Sequence, residues 1–74
     1  MIKMDRHQKQ VLCRDFIKLY HGSMFDAMTM TRKMQDVWGI NLDWHEMSDA
    51  LEYLANIGEI DRDGFNAERM EQYC

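Results

Sequence analysis

Residues 34–54 read MQDVWGINLDWHEMSDALEYL, and the reading of this stretch decides the fold. Met30, Met34, Val37 and Trp38 recur at the helical period, and Gly39 follows them, placed to close a helix. Gly39-Ile40-Asn41-Leu42 is then a short connection. Asp43 stands where an N-cap belongs, with Glu46 three residues on, which predicts a capping box with Asp in place of the usual Ser or Thr. Met47, Leu51 and Leu54 form an inward stripe supported by Ala50 and Ile57, and Gly58 ends it. The spacing predicts helices over about 29–38 and 43–57, the first beginning somewhere in Asp26 to Thr31, where Asp26, Thr29 and Thr31 are all acceptable caps.

To the N-terminal side, Leu12, Phe16 and Leu19 recur at i, i+4 and i+7 beside Cys13, Ile17 and Tyr20, and Gly22 follows. A first helix over about 5–20 is expected, with His7, Arg14, Lys18 and His21 on another face. To the C-terminal side, Glu59-Ile60-Asp61-Arg62 is strand-like and runs into Asp63-Gly64, a tight-turn dipeptide, after which Phe65 resumes. A hairpin over about 59–66 is expected. For the tail, 67–74, Met70 and Tyr73 suit a helix capped by Asn66, and a returning strand suits them as well.

The 74 residues allow one domain, and at this length only about 60% of the unfolded surface can be buried. Hydrophobic residues at 46% and charged residues at 30% describe a globular chain and not a disordered one. There is no membrane-length apolar run and no leader-like core at the N-terminus. Cys13 and Cys74 make no disulfide framework, so free thiols in the cytoplasm are expected. The net charge of -4 is unevenly placed. Lys3, Arg6, Lys9, Arg14 and Lys18 outnumber Asp5 and Asp15 up to residue 22, whereas Asp43 to Cys74 holds nine carboxylates against Arg62 and Arg69.

With the turn placed, Met30 to Gly64 resembles the winged helix-turn-helix superfamily. The resemblance rests on Trp38-Gly39-Ile40, on Met47-Ser48-Asp49-Ala50-Leu51-Glu52-Tyr53-Leu54, and on Ile57-Gly58-Glu59-Ile60 entering a wing. With the first helix it covers nearly the whole chain. It implies a mainly α fold, a three-helix winged helix-turn-helix with a short β-hairpin wing, and a binding function on DNA, RNA or protein. Small size without enzymatic machinery is similar in style to regulators of phages and other mobile elements.

In DNA-binding relatives the third helix enters the major groove. Carried over, those positions fall on Trp44, His45, Glu46, Ser48, Asp49 and Glu52, and Asp43 to Leu54 holds four carboxylates and no Lys or Arg. A duplex with one negative charge per roughly 1.7 Å of its axis would repel such a helix. Trp44, three residues before Met47 and seven before Leu51, is expected in the core; the alternative is an exposed anchor with His45. Met24, Met28, Met30 and Met34 are expected to be mostly core filler.

Other chemistry is thinly represented. Glu59-x-Asp61-x-Asp63-Gly64 matches the first half of a calcium-binding loop, but Met70 stands where the bidentate carboxylate belongs, and a hairpin explains the same residues. His7, His21 and His45 lie on separate segments, and neither a phosphate loop nor a paired-carboxylate cleft is visible. No enzyme, metal or cofactor is expected.

Two functions follow. In the favoured one, Trp44, His45, Glu46, Asp49, Glu52, Asp61 and Asp63 bind a basic protein surface, in the sharpest case by imitating nucleic-acid phosphates. In the alternative, a transcriptional regulator, which could be a homodimer, places Arg14, Lys18, Arg32, Lys33 and Arg62 on the phosphates of duplex DNA while Asn41, His45 and Ser48 read bases.

Overall fold

The computed structural model describes residues 5–74, so Lys3 of the basic front lies outside the described residues. Three helices come first, α1 (Arg6–Leu19), α2 (Ala27–Trp38) and α3 (Trp44–Asn56), followed by two strands, β1 (Arg62–Phe65) and β2 (Glu71–Tyr73).

Each helix starts on an aspartate. The Asp5 carboxylate accepts the Gln8 N–H at 2.7 Å, and the Gln8 side chain accepts the Asp5 N–H at 3.1 Å, which is a complete capping box. The box expected at Asp43 and Glu46 is only half made. Asp43 accepts the His45 N–H at 3.4 Å, while Glu46 turns away to Lys9 of α1 at 2.7 Å, a charged partner in place of its own backbone. Asp26 caps α2, so this helix begins two residues before the expected position 29. Gly39, at φ 67°, closes α2 in the left-handed region. Past α3, Gly58 N–H reaches the Ala55 carbonyl at 3.2 Å and Glu59 N–H the Leu54 carbonyl at 2.9 Å, the paired bonds of a Schellman motif.

The core joins Cys13, Phe16 and Ile17 of α1, Met30 and Met34 of α2, and Met47, Ala50, Leu51 and Leu54 of α3. Phe25, Leu42, Ile60 and Tyr73 close it from the connections and the sheet. Phe16 lies at its centre, 4.9 Å from the Tyr20 ring, 5.9 Å from Phe25 and edge-on to Trp38 at 5.0 Å. Several apolar residues expected inside are outside. Leu19 is 62% exposed, and Val37 and Ile57 also face solvent. For α1 the reason is a rotated seam: Cys13, Ile17 and Tyr20 are the i, i+4, i+7 row that faces the core, so Leu19 falls off its edge. The methionines divide. Met30 and Met34, four residues apart, are fully buried, and Met24 and Met28 are exposed.

β1 and β2 pair antiparallel, with Arg62 opposite Tyr73 and Phe65 opposite Glu71. The interval is one residue longer on β1, so the strand carries a bulge, and Gly64 takes φ 79° there. The Asp63-Gly64 dipeptide is therefore inside β1 and is not the hairpin turn. Its sequence signal was for positive φ, which a bulge uses as readily as a reversal does. The chain reverses instead across Asn66–Met70, where Arg69 takes φ 62°. The Asn66 side-chain oxygen holds this loop by accepting the Glu68 and Met70 N–H groups, each at 2.9 Å. The end of the tail is a strand, not a helix, and it is paired on both sides. Tyr73 exchanges backbone hydrogen bonds of 2.7 and 2.8 Å with Phe25, in the connection between α1 and α2.

Candidate interaction surface

With Met47, Ala50, Leu51 and Leu54 turned inward, the opposite side of α3 carries His45, Asp49, Glu52 and Asn56 at i, i+4, i+7 and i+11. All four are exposed. Trp44 is also outside, at 46% exposure, where the stripe 44–47–51 had placed it in the core. Leu42, buried two residues earlier, already plugs the core at the entry to α3, and Trp44 is left on the helix flank. There it stacks on His45, with ring centroids 3.9 Å apart and planes inclined by 31°.

The charges on this face differ in their state. Glu46 is neutralised by Lys9. Among the described residues Asp49 and Glu52 join no ion pair within 4.0 Å, although Asp49 borders a groove it shares with Arg6, Lys9 and Gln10. The negative field extends to the hairpin. Burial first, then the charges of Glu71 and Glu52, raise the Tyr73 phenol above its usual range against the opposing effect of Arg62.

Asp61 and Asp63 are not part of this face. Between them Arg62 reaches across to α3, donating to the Asn56 side-chain oxygen at 2.6 Å and pairing with Glu71 at 2.9 Å. The two aspartates turn the other way, into a groove of about 560 Å³ lined by Ile17, Lys18, His21, Met24 and Cys74. The seven residues expected to form one partner-binding surface therefore divide between two sides of the hairpin, because neighbouring residues of a strand face opposite ways.

The residues of the DNA-binding alternative are more dispersed. Arg14 and Lys18 of α1 pair with Asp15 at 3.4 Å and with Glu59, past the end of α3, at 3.7 Å. Arg32 and Lys33 are exposed on α2, with Lys33 5.7 Å above the Tyr20 ring. Ser48 is half-buried and Asn41 exposed. Three of the five cations are thus engaged with carboxylates of the same chain.

Two residues take roles that the sequence reading did not give them, Asn66 having been expected only as a possible helix cap. Asn56 completes the outward row and anchors Arg62, and its i+11 spacing from His45 was a usable signal. Asn66 binds Asp26 from far along the chain at 2.9 Å, and no local pattern announces that contact. The thiols are unlike each other. Burial pushes Cys13 up to about 12, with its Sγ 3.4 Å from Met47 Sδ, whereas Cys74, half-buried, is raised by desolvation and then by Asp63 and Asp61.

Among the described residues no three His, Cys, Asp or Glu side chains converge as a metal site, and no helix is long and apolar enough to cross a membrane. Comparison of the chain with protein-family models, with curated proteins and with solved structures gives no match.

Proposed function

We propose that the chain is a winged-helix domain acting as a small, non-enzymatic cytoplasmic regulator, which docks α3 onto a basic surface of another protein. The order of elements supports the fold reading. Three helices precede an antiparallel hairpin, and Phe25 adds a short pairing from the connection before α2. The observation that carries the function is the outward row His45, Asp49, Glu52 and Asn56, fronted by an exposed Trp44, in which α3 supplies no Lys or Arg and Arg62 reaches only its Asn56 end. An exposed tryptophan on the same helix as carboxylates that join no ion pair among the described residues has the composition of an interface anchor with a complementary charged rim.

DNA binding would require this row to approach phosphates, and Arg14, Lys18 and Arg62 would first have to leave their carboxylates. An anisotropy titration with mixed-sequence duplex DNA at low salt tests the choice. The expected result is no sub-micromolar binding; tight binding that weakens steeply with salt overturns the protein-partner reading.

A further inference from the structure

α3 opens with two aromatic rings stacked on each other in solvent, Trp44 and His45. The imidazole covers part of the indole, and the 46% exposure of Trp44 leaves the remaining surface open. One turn further along lie Ser48 and Asp49, and Glu52 follows them on the outward side. Asp49 and Glu52 stand five and eight residues beyond Trp44 on the helix, and among the described residues no Lys or Arg lies over the indole. The cation–ring contact found among the described residues is Lys33 over Tyr20.

Resting on the protein-partner reading above, we propose that this face takes an arginine-rich segment of the partner, one guanidinium lying flat on Trp44 and neighbouring ones donating to Asp49 and Glu52. Arginine suits the site better than lysine for two reasons. Its planar group stacks on an indole face, and its forked donors match a carboxylate. A lysine ammonium can also sit over a ring, as Lys33 does over Tyr20, but it is a compact, strongly hydrated point charge with no plane to stack. A nucleobase could also stack on the indole, but its phosphates would meet the same carboxylates.

The full chain is titrated with an oligo-arginine peptide and an oligo-lysine peptide of equal length, with the heat of binding in calorimetry as the readout. The arginine peptide is expected to bind about three- to fivefold more tightly, the range a solvent-exposed cation–ring contact supplies. That preference should vanish in W44L, which changes an exposed residue, and survive in D61N/D63N. The double variant D49N/E52Q should weaken both peptides by about tenfold. Equal affinities in the unaltered chain, or a preference retained in W44L, overturn the arginine assignment. The acidic-face reading then still stands if D49N/E52Q weakens binding. If D49N/E52Q changes nothing, or only D61N/D63N does, both fall.

Discussion

The Asp26 carboxylate accepts a hydrogen bond from the Asn66 side-chain amide at 2.9 Å, joining residues 40 apart while it caps α2. The other hydrogen bonds of this carboxylate are local, from the Thr29 N–H at 2.7 Å and the Thr29 hydroxyl at 2.9 Å. Asn66 meanwhile organises the hairpin loop with its own oxygen. The pair therefore ties the start of one helix to the turn of the sheet. Asp26→Ala removes the cap and leaves the Asn66 amide unpaired, and should cost about 2–3 kcal/mol in urea denaturation. Asn66→Ala should cost about 1–2 kcal/mol. A double-mutant cycle should return a coupling of at least about 0.5 kcal/mol, and additive losses would show that the bond contributes nothing.

The same carboxylate gives an acid limit. Its burial works to raise the pKa, but the hydrogen bonds from Thr29, Asn66 and Met28 outweigh it and hold Asp26 below 3.8. A lowered folded pKa means that the contribution is fully present above 3.8 and is lost as pH falls through the folded value. Stability measured from pH 6 to 2 should fall less steeply in Asp26→Asn than in the unaltered chain. Identical slopes would remove Asp26 from the acid transition.

Cys13 sets a limit at the alkaline end. With its pKa raised from 9.0 to about 12, the folded chain keeps this proton while the unfolded chain releases it above pH 9.0. Its contribution is complete below 9.0 and declines above it by about 1.4 kcal/mol per pH unit. Iodoacetamide at neutral pH should label the half-buried Cys74 and spare Cys13 until denaturant is added. Mass spectrometry of the labelled chain reads the difference directly.

Gly64 isolates a backbone effect. A Cβ built there meets nothing within 4 Å, so Gly64→Ala creates no clash, and its cost is that of holding φ 79° with a side chain. About 1 kcal/mol is expected. Ala67→Gly, on the exposed loop, should stay within about 0.5 kcal/mol.

Core truncations should separate the two kinds of apolar residue. Met47→Ala or Leu51→Ala, both fully buried, should cost about 2–5 kcal/mol. Leu19→Ala and Ile57→Ala, exposed on their helix ends, should stay within about 0.5 kcal/mol. A large loss at Leu19 would mean that α1 packs on the Leu12, Phe16, Leu19 row after all.

What could be read from the sequence was what is decided locally. The glycines after α2 and α3, the cap at Asp43 and the inward set Met47, Ala50, Leu51 and Leu54 depend on neighbours within a turn or two. The failures share a cause. Leu19, Val37, Ile57 and Trp44 have helical spacing that suits burial, and only the arrangement of the other elements decides which rim of each stripe is covered. Glu46 had two possible partners, its own helix start and Lys9, and the second belongs to another helix. Asp63-Gly64 announced positive φ correctly and chain reversal wrongly. In the site, the row His45, Asp49 and Glu52 was legible from its period. The separation of Asp61 and Asp63 from it followed from a strand direction that no sequence pattern shows.

The pairing of Tyr73 with Phe25 on one side and with Arg62 on the other bears on how the chain folds as it is made. The strand that joins the other two sheet segments is the last of the three to leave the ribosome. Until it emerges, the Phe25 backbone lacks Tyr73 and the Asp61 backbone lacks Cys74, and the Asn66 loop has no second strand to close against. Folding is therefore expected to wait for this segment, and a released chain truncated before residue 71 should remain protease-sensitive although it carries all three helices.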